Sequence, residues 1–227
     1  MSSEIFLRTE LLLGRGYYKN LANKTVAVFG LGGVGGYAVE ALARSGIGNL
    51  ILVDNDVIDE TNINRHVLAL HSTIGMFKTS LFEKRVADIN PECKVYSFNE
   101  FVLPEMQIFK DIFSSFDIDY VLDAVDTIRL KVGLATFCEK KNISIVSAMG
   151  CGNRVEANFR FADIYKTSGC PLCRVMRKSL RDCQVEKLDV LYSPDSPDMH
   201  HNPPASVPWV PAIAGLMLAG RIVMSLI

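Results

Sequence analysis

Residues 25–65 read TVAVFGLGGVGGYAVEALARSGIGNLILVDNDVIDETNINR, and this stretch decides the fold. Its apolar run Val26-Ala27-Val28-Phe29 has the composition of a strand covered on both faces of a parallel sheet. Gly30-Leu31-Gly32-Gly33-Val34-Gly35 follows without a break, then a helical pattern from Tyr37 to Arg44. A second apolar run, Leu50 to Val53, ends in Asp54, 24 residues after Gly30. Strand, glycine turn, helix, strand and acid in this order suit a nucleotide-binding βαβ unit. The glycines let backbone N–H groups approach a phosphate, and the start of the helix adds partial positive charge. Asp54 is placed to accept hydrogen bonds from ribose hydroxyls. The pattern points to a nucleotide without choosing which one.

Beyond Asp54 the run from Asn55 to Glu60 is acidic, and Thr61-Asn62-Ile63-Asn64-Arg65 closes it. Asn64 and Arg65 are read as starting a helix, with an amide and a guanidinium turned toward phosphates. Gly75-Met76-Phe77-Lys78 opens a helix that runs to Asn90-Pro91. Lys78 in its first turn opposes the helix dipole, so an anion facing it is expected. Strands are expected at 94–98, 120–122 and 143–146, with helices at 104–115 and 128–141. This β-α alternation predicts an α/β fold: one doubly wound, mostly parallel Rossmann-like sheet. Asp126 falls just past the carboxyl end of a strand, on the edge where open α/β sheets bind ligands. Two readings stay open for it: a Mg²⁺ ligand against a triphosphate, or the N-cap of the following helix.

From Met149 the pattern changes. Residues 150–153 read as a loop, and 155–164 alternate loosely, as antiparallel strands do. Cys170-Pro171-Leu172-Cys173 opens a basic helix carrying Arg174, Arg177, Lys178 and Arg181. Zinc at Cys170 and Cys173 would need further ligands, and Cys183, His200 and His201 are spare candidates in no standard spacing. Redox chemistry of the CxxC pair is a second reading, and plain packing a third. Residues 182–208 are polar and proline-rich and are expected to form a loop or lid. Val210 to Ile227 reads as an apolar core helix closing the fold. Upstream, Ile5 to Leu13 reads as a short helix stopped by Gly14, with Arg8 a solvated charge on spacing alone. The expected organisation is a helical arm (1–24), a nucleotide-binding Rossmann-like domain (25–150), and an extension, lid loop and helix of the same domain (151–227).

The totals narrow the function classes. The chain has 227 residues, half of them apolar, and a net charge of −1, so it has no global attraction to nucleic acid or membrane. Any RNA contact must be a local patch. No signal-peptide pattern opens the chain, no uninterrupted apolar run of membrane-spanning length is read, and membrane association is not expected. Six cysteines are few for this length and suggest a reducing cytoplasm.

Taken together, these pieces resemble the ThiF/MoeB superfamily of ubiquitin-activating-enzyme-like adenylating enzymes. The matching motifs are Arg8 with Gly14, GLGGVGG at 30–36, LARSGIG at 42–48, LVDND at 52–56, TNINR at 61–65, IGMFK at 74–78, INP at 89–91 and DAVD at 123–126. ALARSGIG, TNINRHVLAL and INPECKV are most similar to the tRNA threonylcarbamoyladenosine dehydratase branch. The resemblance implies ATP and Mg²⁺ as cofactors. It places Gly33 against the phosphates, Asp54 at the ribose hydroxyls, and Asn62 and Arg65 at the phosphates or metal shell, with Gly30, Gly32, Asp56 and Asn64 in the same nucleotide-binding set. It has Lys78 stabilise triphosphate charge and Asp126, beside Thr127, bind Mg²⁺. It also implies that Arg8 reaches into a partner subunit's ATP site, hence a homodimer. The implied catalytic set is Arg8, Arg65, Lys78 and Asp126.

The implied chemistry is attack of a carboxylate on the ATP α-phosphate, giving an acyl-adenylate and pyrophosphate. In the dehydratase branch the carboxylate is that of threonylcarbamoyladenosine at tRNA position 37, which then cyclises. Two departures concern the acyl acceptor. Glu156-Ala157-Asn158 stands where the branch tends to have Asp-Pro-Thr, and Val190 replaces a cysteine. The alternative substrate is the C-terminus of a ubiquitin-like sulfur carrier, with a sulfur-carrier or cysteine desulfurase partner and a nucleophilic cysteine between 170 and 183. An NAD-dependent oxidoreductase would explain Gly30 to Asp54 but leave Arg8, Asn62, Arg65, Lys78 and Asp126 without a role. A nucleotide-binding module without turnover is the remaining reading.

Overall fold

A computed structural model describes residues 3–199 and 201–227. Seven strands form one sheet: β1 (Thr25–Phe29), β2 (Asn49–Val53), β3 (Lys94–Phe98), β4 (Tyr120–Asp123), β5 (Ser144–Ala148), β6 (Arg160–Asp163) and β7 (Asp189–Tyr192). Their order is β3-β2-β1-β4-β5-β7-β6, and every adjacent pair is parallel except β6–β7. The helices are α1 (Leu7–Leu13), α2 (Tyr17–Leu21), α3 (Gly35–Ser45), α4 (Lys78–Ile89), α5 (Gln107–Ser115), α6 (Ile128–Lys141), α7 (Pro171–Asp182) and α8 (Trp209–Leu226).

Side chains alternate across a strand, so one apolar run feeds two cores. Val26, Val28, Leu50, Leu52 and Leu122 pack under α3, α4 and α8, while Ala27, Phe29, Ile51, Val53 and Val121 pack under α5 and α6. Both faces are covered, which is why β1 and β2 read as continuous apolar segments. A third cluster joins α7 to β7 and to Ala135 of α6.

Several sequence expectations change. Residues 182–208 contain a strand, β7, which lies parallel to β5. The antiparallel pair is therefore β6 with β7, and 155–159 forms a loop. The reason is local: the Val155 N–H donates to Asp198 Oδ2 at 2.7 Å, and the Val155 carbonyl accepts the Trp209 indole N–H at 2.7 Å. Its backbone groups are satisfied by the 198–209 segment instead of a strand. No helix starts at Asn64-Arg65; a short 3₁₀ turn, Glu60–Asn62, precedes them. Helix α5 begins at Gln107, three residues later than expected.

Helix α8 spans 18 residues with mean hydropathy 1.6, so by length and composition alone it is long and apolar enough to cross a membrane. Arg221 interrupts its apolar run, so the reading that no uninterrupted run of that length is present stands beside this helix. Val210, Ala214, Leu218 and Ile222, four residues apart, form a stripe buried in the core against α3. Gly215 permits the contact: a Cβ there would sit 2.2 Å from the Val34 carbonyl oxygen. Helix α8 thereby braces the turn between β1 and α3.

Candidate nucleotide site

The switch in strand order lies between β1 and β4, and a cleft of about 640 Å³ opens at their carboxyl ends. Its floor is the glycine turn. Gly35 begins α3 in tight contact, since a Cβ there would fall 1.8 Å from the Gly30 carbonyl oxygen. The Gly36 and Ala38 N–H groups of the first turn of α3 donate to the Gly32 and Val34 carbonyls, while among the described residues the Gly32 and Gly33 N–H groups, at the cleft, have no acceptor. Gly30, Gly32, Gly33, Asp54, Asp56, Arg65, Lys78, Asp126 and Thr127 all line the cleft, so most residues singled out from sequence meet there. Phe101, Val102, Val125 and Leu130 give one apolar wall, and Gly152, Pro203, Pro204, Ser206 and Pro211 line the opposite side.

Asp54 ends β2 and ties the turn together. Its Oδ2 accepts the Leu31 N–H at 2.6 Å, and its Oδ1 accepts the Asp56 N–H at 2.8 Å. Burial pushes its carboxyl above the usual range, opposed by the Lys78 charge and by these two N–H groups. The anion expected opposite Lys78 belongs to the protein itself: Nζ lies 2.6 Å from Asp56 Oδ2 and 3.7 Å from Asp54 Oδ1. Lys78 is only 5% exposed, while the Asp56 side chain is 61% exposed on the solvent side. Lys78 is thus fixed at the cleft by a partner that is free to turn away.

Asp126 is exposed. The N-cap of α6 is Thr127, without a side-chain capping bond, so the structure gives Asp126 no capping role. Its carboxylate meets the Thr127 hydroxyl at 3.4 Å. Arg65 packs along Gly33, and its guanidinium is held by the Thr61 carbonyl at 2.7 Å and by Asn64 Oδ1 at 3.0 Å. The two asparagines do not line the cleft. Asn62 closes a capping box with Asp59, and Asn64 donates to the Ser206 carbonyl at 3.1 Å. Asn64 therefore positions Arg65 and ties it to the 203–206 segment. Arg8 sits exposed on α1, away from this chain's own cleft.

Sequence reasoning missed three supports. His66 is buried with Nε2 2.7 Å from the Leu31 carbonyl, and its Nδ1 accepts the Leu68 N–H at 3.1 Å. These partners assign the neutral Nε2–H tautomer. Burial pushes its pKa down to about 4. Behind the cleft, fully buried Asp123 pairs with Lys131 at 3.0 Å, and Lys131 also donates to Ser147 Oγ and to the Ala148 carbonyl. That pair clamps the ends of β4 and β5 and neutralises the carboxylate under the cleft. A lysine next to Leu130 and three residues before Leu134, on the apolar face of α6, was the available signal. Arg154, also buried, donates to the carbonyls of Gly150, Asp195 and Ser196 and to Ser193 Oγ, and so holds the loop beyond β7.

Cys170 and Cys173 are buried in the third core, whereas Cys183 is exposed at the end of α7. No group of three His, Cys, Asp or Glu able to enclose a metal occurs among the described residues. His200, a candidate zinc ligand from sequence, lies outside those residues.

A sequence model of the ThiF family matches residues 7–227. The chain belongs to the ThiF family. The tRNA threonylcarbamoyladenosine dehydratase of Bacillus subtilis is 41% identical over 242 residues, covering 98% of this chain and 94% of that protein. The Escherichia coli enzyme of the same name is 35% identical over 174 residues, 76% of this chain and 64% of that one. The crystal structure of E. coli TcdA with AMP superposes on this ThiF-family chain with a TM-score of 0.91 at 30% identity, covering 99% of this chain and 94% of that one. The same enzyme with ATP gives a TM-score of 0.87 at 28% identity, over 98% and 95%.

Proposed function

We propose that this chain adenylates the carboxylate of threonylcarbamoyladenosine in tRNA with ATP and then dehydrates it to the cyclic form. The observation that carries this reading is the charge pattern of the cleft. The glycine turn shares the cleft lining with Arg65, Lys78 and Asp126, more than a nicotinamide dinucleotide requires. Adenine fits the apolar wall of Phe101, Val102 and Leu130, and Asp54 keeps lone pairs for ribose hydroxyls. The phosphates lie over the start of α3 and draw Lys78 away from Asp56. Lys78 and Arg65, already fixed by their neighbours, then offset the charge that builds on the phosphoryl oxygens as the substrate carboxylate attacks the α-phosphate. Pyrophosphate leaves, and the carboxyl carbon now bears AMP, a far better leaving group than oxide.

The carboxylates present fit Mg²⁺ carried in on the triphosphate. Mg²⁺ is usually held by one or two carboxylates plus phosphate oxygens, and Asp126 is a cleft carboxylate not committed to Lys78. Bound there, it would neutralise phosphate charge. Arg8 acts across a homodimer in this reading. It is supported by the apolar surface around it: on the same helix Leu11 is 80% and Leu12 87% exposed, a surface a second copy would cover. In this reading the activity is cytoplasmic. The sulfur-carrier alternative is not favoured, because the relatives cited above carry the dehydratase name.

The test is pyrophosphate release with ATP, Mg²⁺ and tRNA, followed by mass analysis of the modified nucleoside for loss of water. Lys78→Ala and Asp126→Ala are each expected to reduce release by roughly a hundredfold or more while the fold persists. Near-normal turnover in both variants would refute the assignment.

A further inference from the structure

Helix α7 is amphipathic in a way the cleft does not explain. Cys173, Met176 and Leu180 are buried in the third core. On the opposite side Arg174, Lys178 and Arg181, spaced four and three residues apart, form one exposed stripe. Among the described residues none of the three has a carboxylate within ion-pair distance. Arg181 instead lies 5.4 Å over the Tyr165 ring, and neighbouring Arg177 is held by the Thr167 carbonyl at 3.1 Å. Residues 160–187 hold seven Lys or Arg against three Asp or Glu, in a chain whose net charge is −1. The positive charge is concentrated here. The stripe also begins near the cleft. Its first turn starts at Cys170, whose sulfur would lie 3.7 Å from a Cβ on Gly150, and Gly152 is part of the cleft lining.

We propose that the Arg174–Lys178–Arg181 stripe is the docking surface for the phosphate backbone of the tRNA substrate. This rests on the function proposed above and names which face of the chain meets the RNA. The stripe rises about 10 Å along the helix, roughly the reach of two or three successive phosphates. Phosphate contacts of this kind set position and orientation without reading sequence. The RNA lies along α7 with its modified nucleotide at the α7 end of the cleft, opposite the apolar wall assigned to adenine.

The experiment measures tRNA affinity by fluorescence anisotropy as a function of salt, for the wild type, for Arg174→Glu with Lys178→Glu, and for Lys84→Glu on α4 across the sheet. Two lost phosphate contacts lower the slope of log affinity against log salt by about 1.5 and weaken binding by roughly tenfold or more at moderate salt. Lys84→Glu is expected to match the wild type. ATP affinity measured without RNA reports that the variants are folded. If the charge-reversed pair fails that check, Arg174→Gln with Lys178→Gln takes its place. Wild-type affinity and slope in the α7 variant, with active wild-type enzyme, would overturn the proposal. A wild type that binds tRNA through α7 yet never removes water would instead overturn the proposed reaction and leave the surface standing.

Discussion

Lowering the pH should loosen the glycine turn through His66. The imidazole is buried between two backbone groups that demand opposite things of it: the Leu31 carbonyl accepts from Nε2–H, while the Leu68 N–H donates to a bare Nδ1. A proton on Nδ1 would set two donors head-on. Burial, helped by the nearby charges of Lys78 and Arg65 and opposed by the Leu31 carbonyl, takes the folded pKa down to about 4, from an unfolded value of 6.5. Within that window the unfolded chain binds more protons at this residue than the folded one. Stability from His66 is therefore present above pH 6.5 and is lost as pH falls toward 4. The full loss is about 3 kcal/mol at 1.36 kcal/mol per pH unit, and about 2 kcal/mol has gone by pH 5. Asp54, with its raised pKa, works in the opposite direction. The discriminating quantity is therefore a difference between proteins. Urea unfolding at pH 7.5 and 5.0 should show the wild type losing about 2 kcal/mol more than His66→Gln does. Equal losses in the two proteins would show that His66 is not held neutral by its buried setting.

Two further outcomes follow from the same geometry. Gly35→Ala should destabilise by about 3 kcal/mol or more in thermal or urea unfolding, because its methyl would meet the Gly30 carbonyl, whereas Gly32→Ala meets nothing within 4 Å and should keep the fold while raising the KM for ATP. Mixing inactive Arg8→Ala and Asp126→Ala subunits should restore part of the pyrophosphate release if Arg8 serves the partner's cleft; no recovery in hybrids that demonstrably form would assign Arg8 to its own chain.

The legibility of this chain follows the length scale of the forces involved. Strands β1, β2 and β4 were readable because both faces are buried, leaving an apolar signature that needs no partner to interpret. The cleft was readable because a glycine turn and a carboxylate at a strand end announce themselves locally. Strand β7 was not: Asp189-Val190-Leu191-Tyr192 is four residues long, lies between Lys187 and Pro194, and owes its conformation to pairing with β5 and β6. The same limit explains Asn62 and Asn64. Their residue types suited a phosphate, but the capping box with Asp59 and the Ser206 carbonyl claim the two amides. Asp123 shows the converse. It stood in view within DAVD, three residues before Asp126; the lysine on the apolar face of α6 was the one hint of the partner that neutralises it, and Ser147, on another strand, gave none. That neutralisation leaves Asp126 as the carboxylate on the β4 rim available to a metal-chelated phosphate. The division of labour between the two aspartates is written in their three-dimensional partners: Asp123 is spent inside the fold on Lys131 and Ser147, and Asp126 is left facing the cleft.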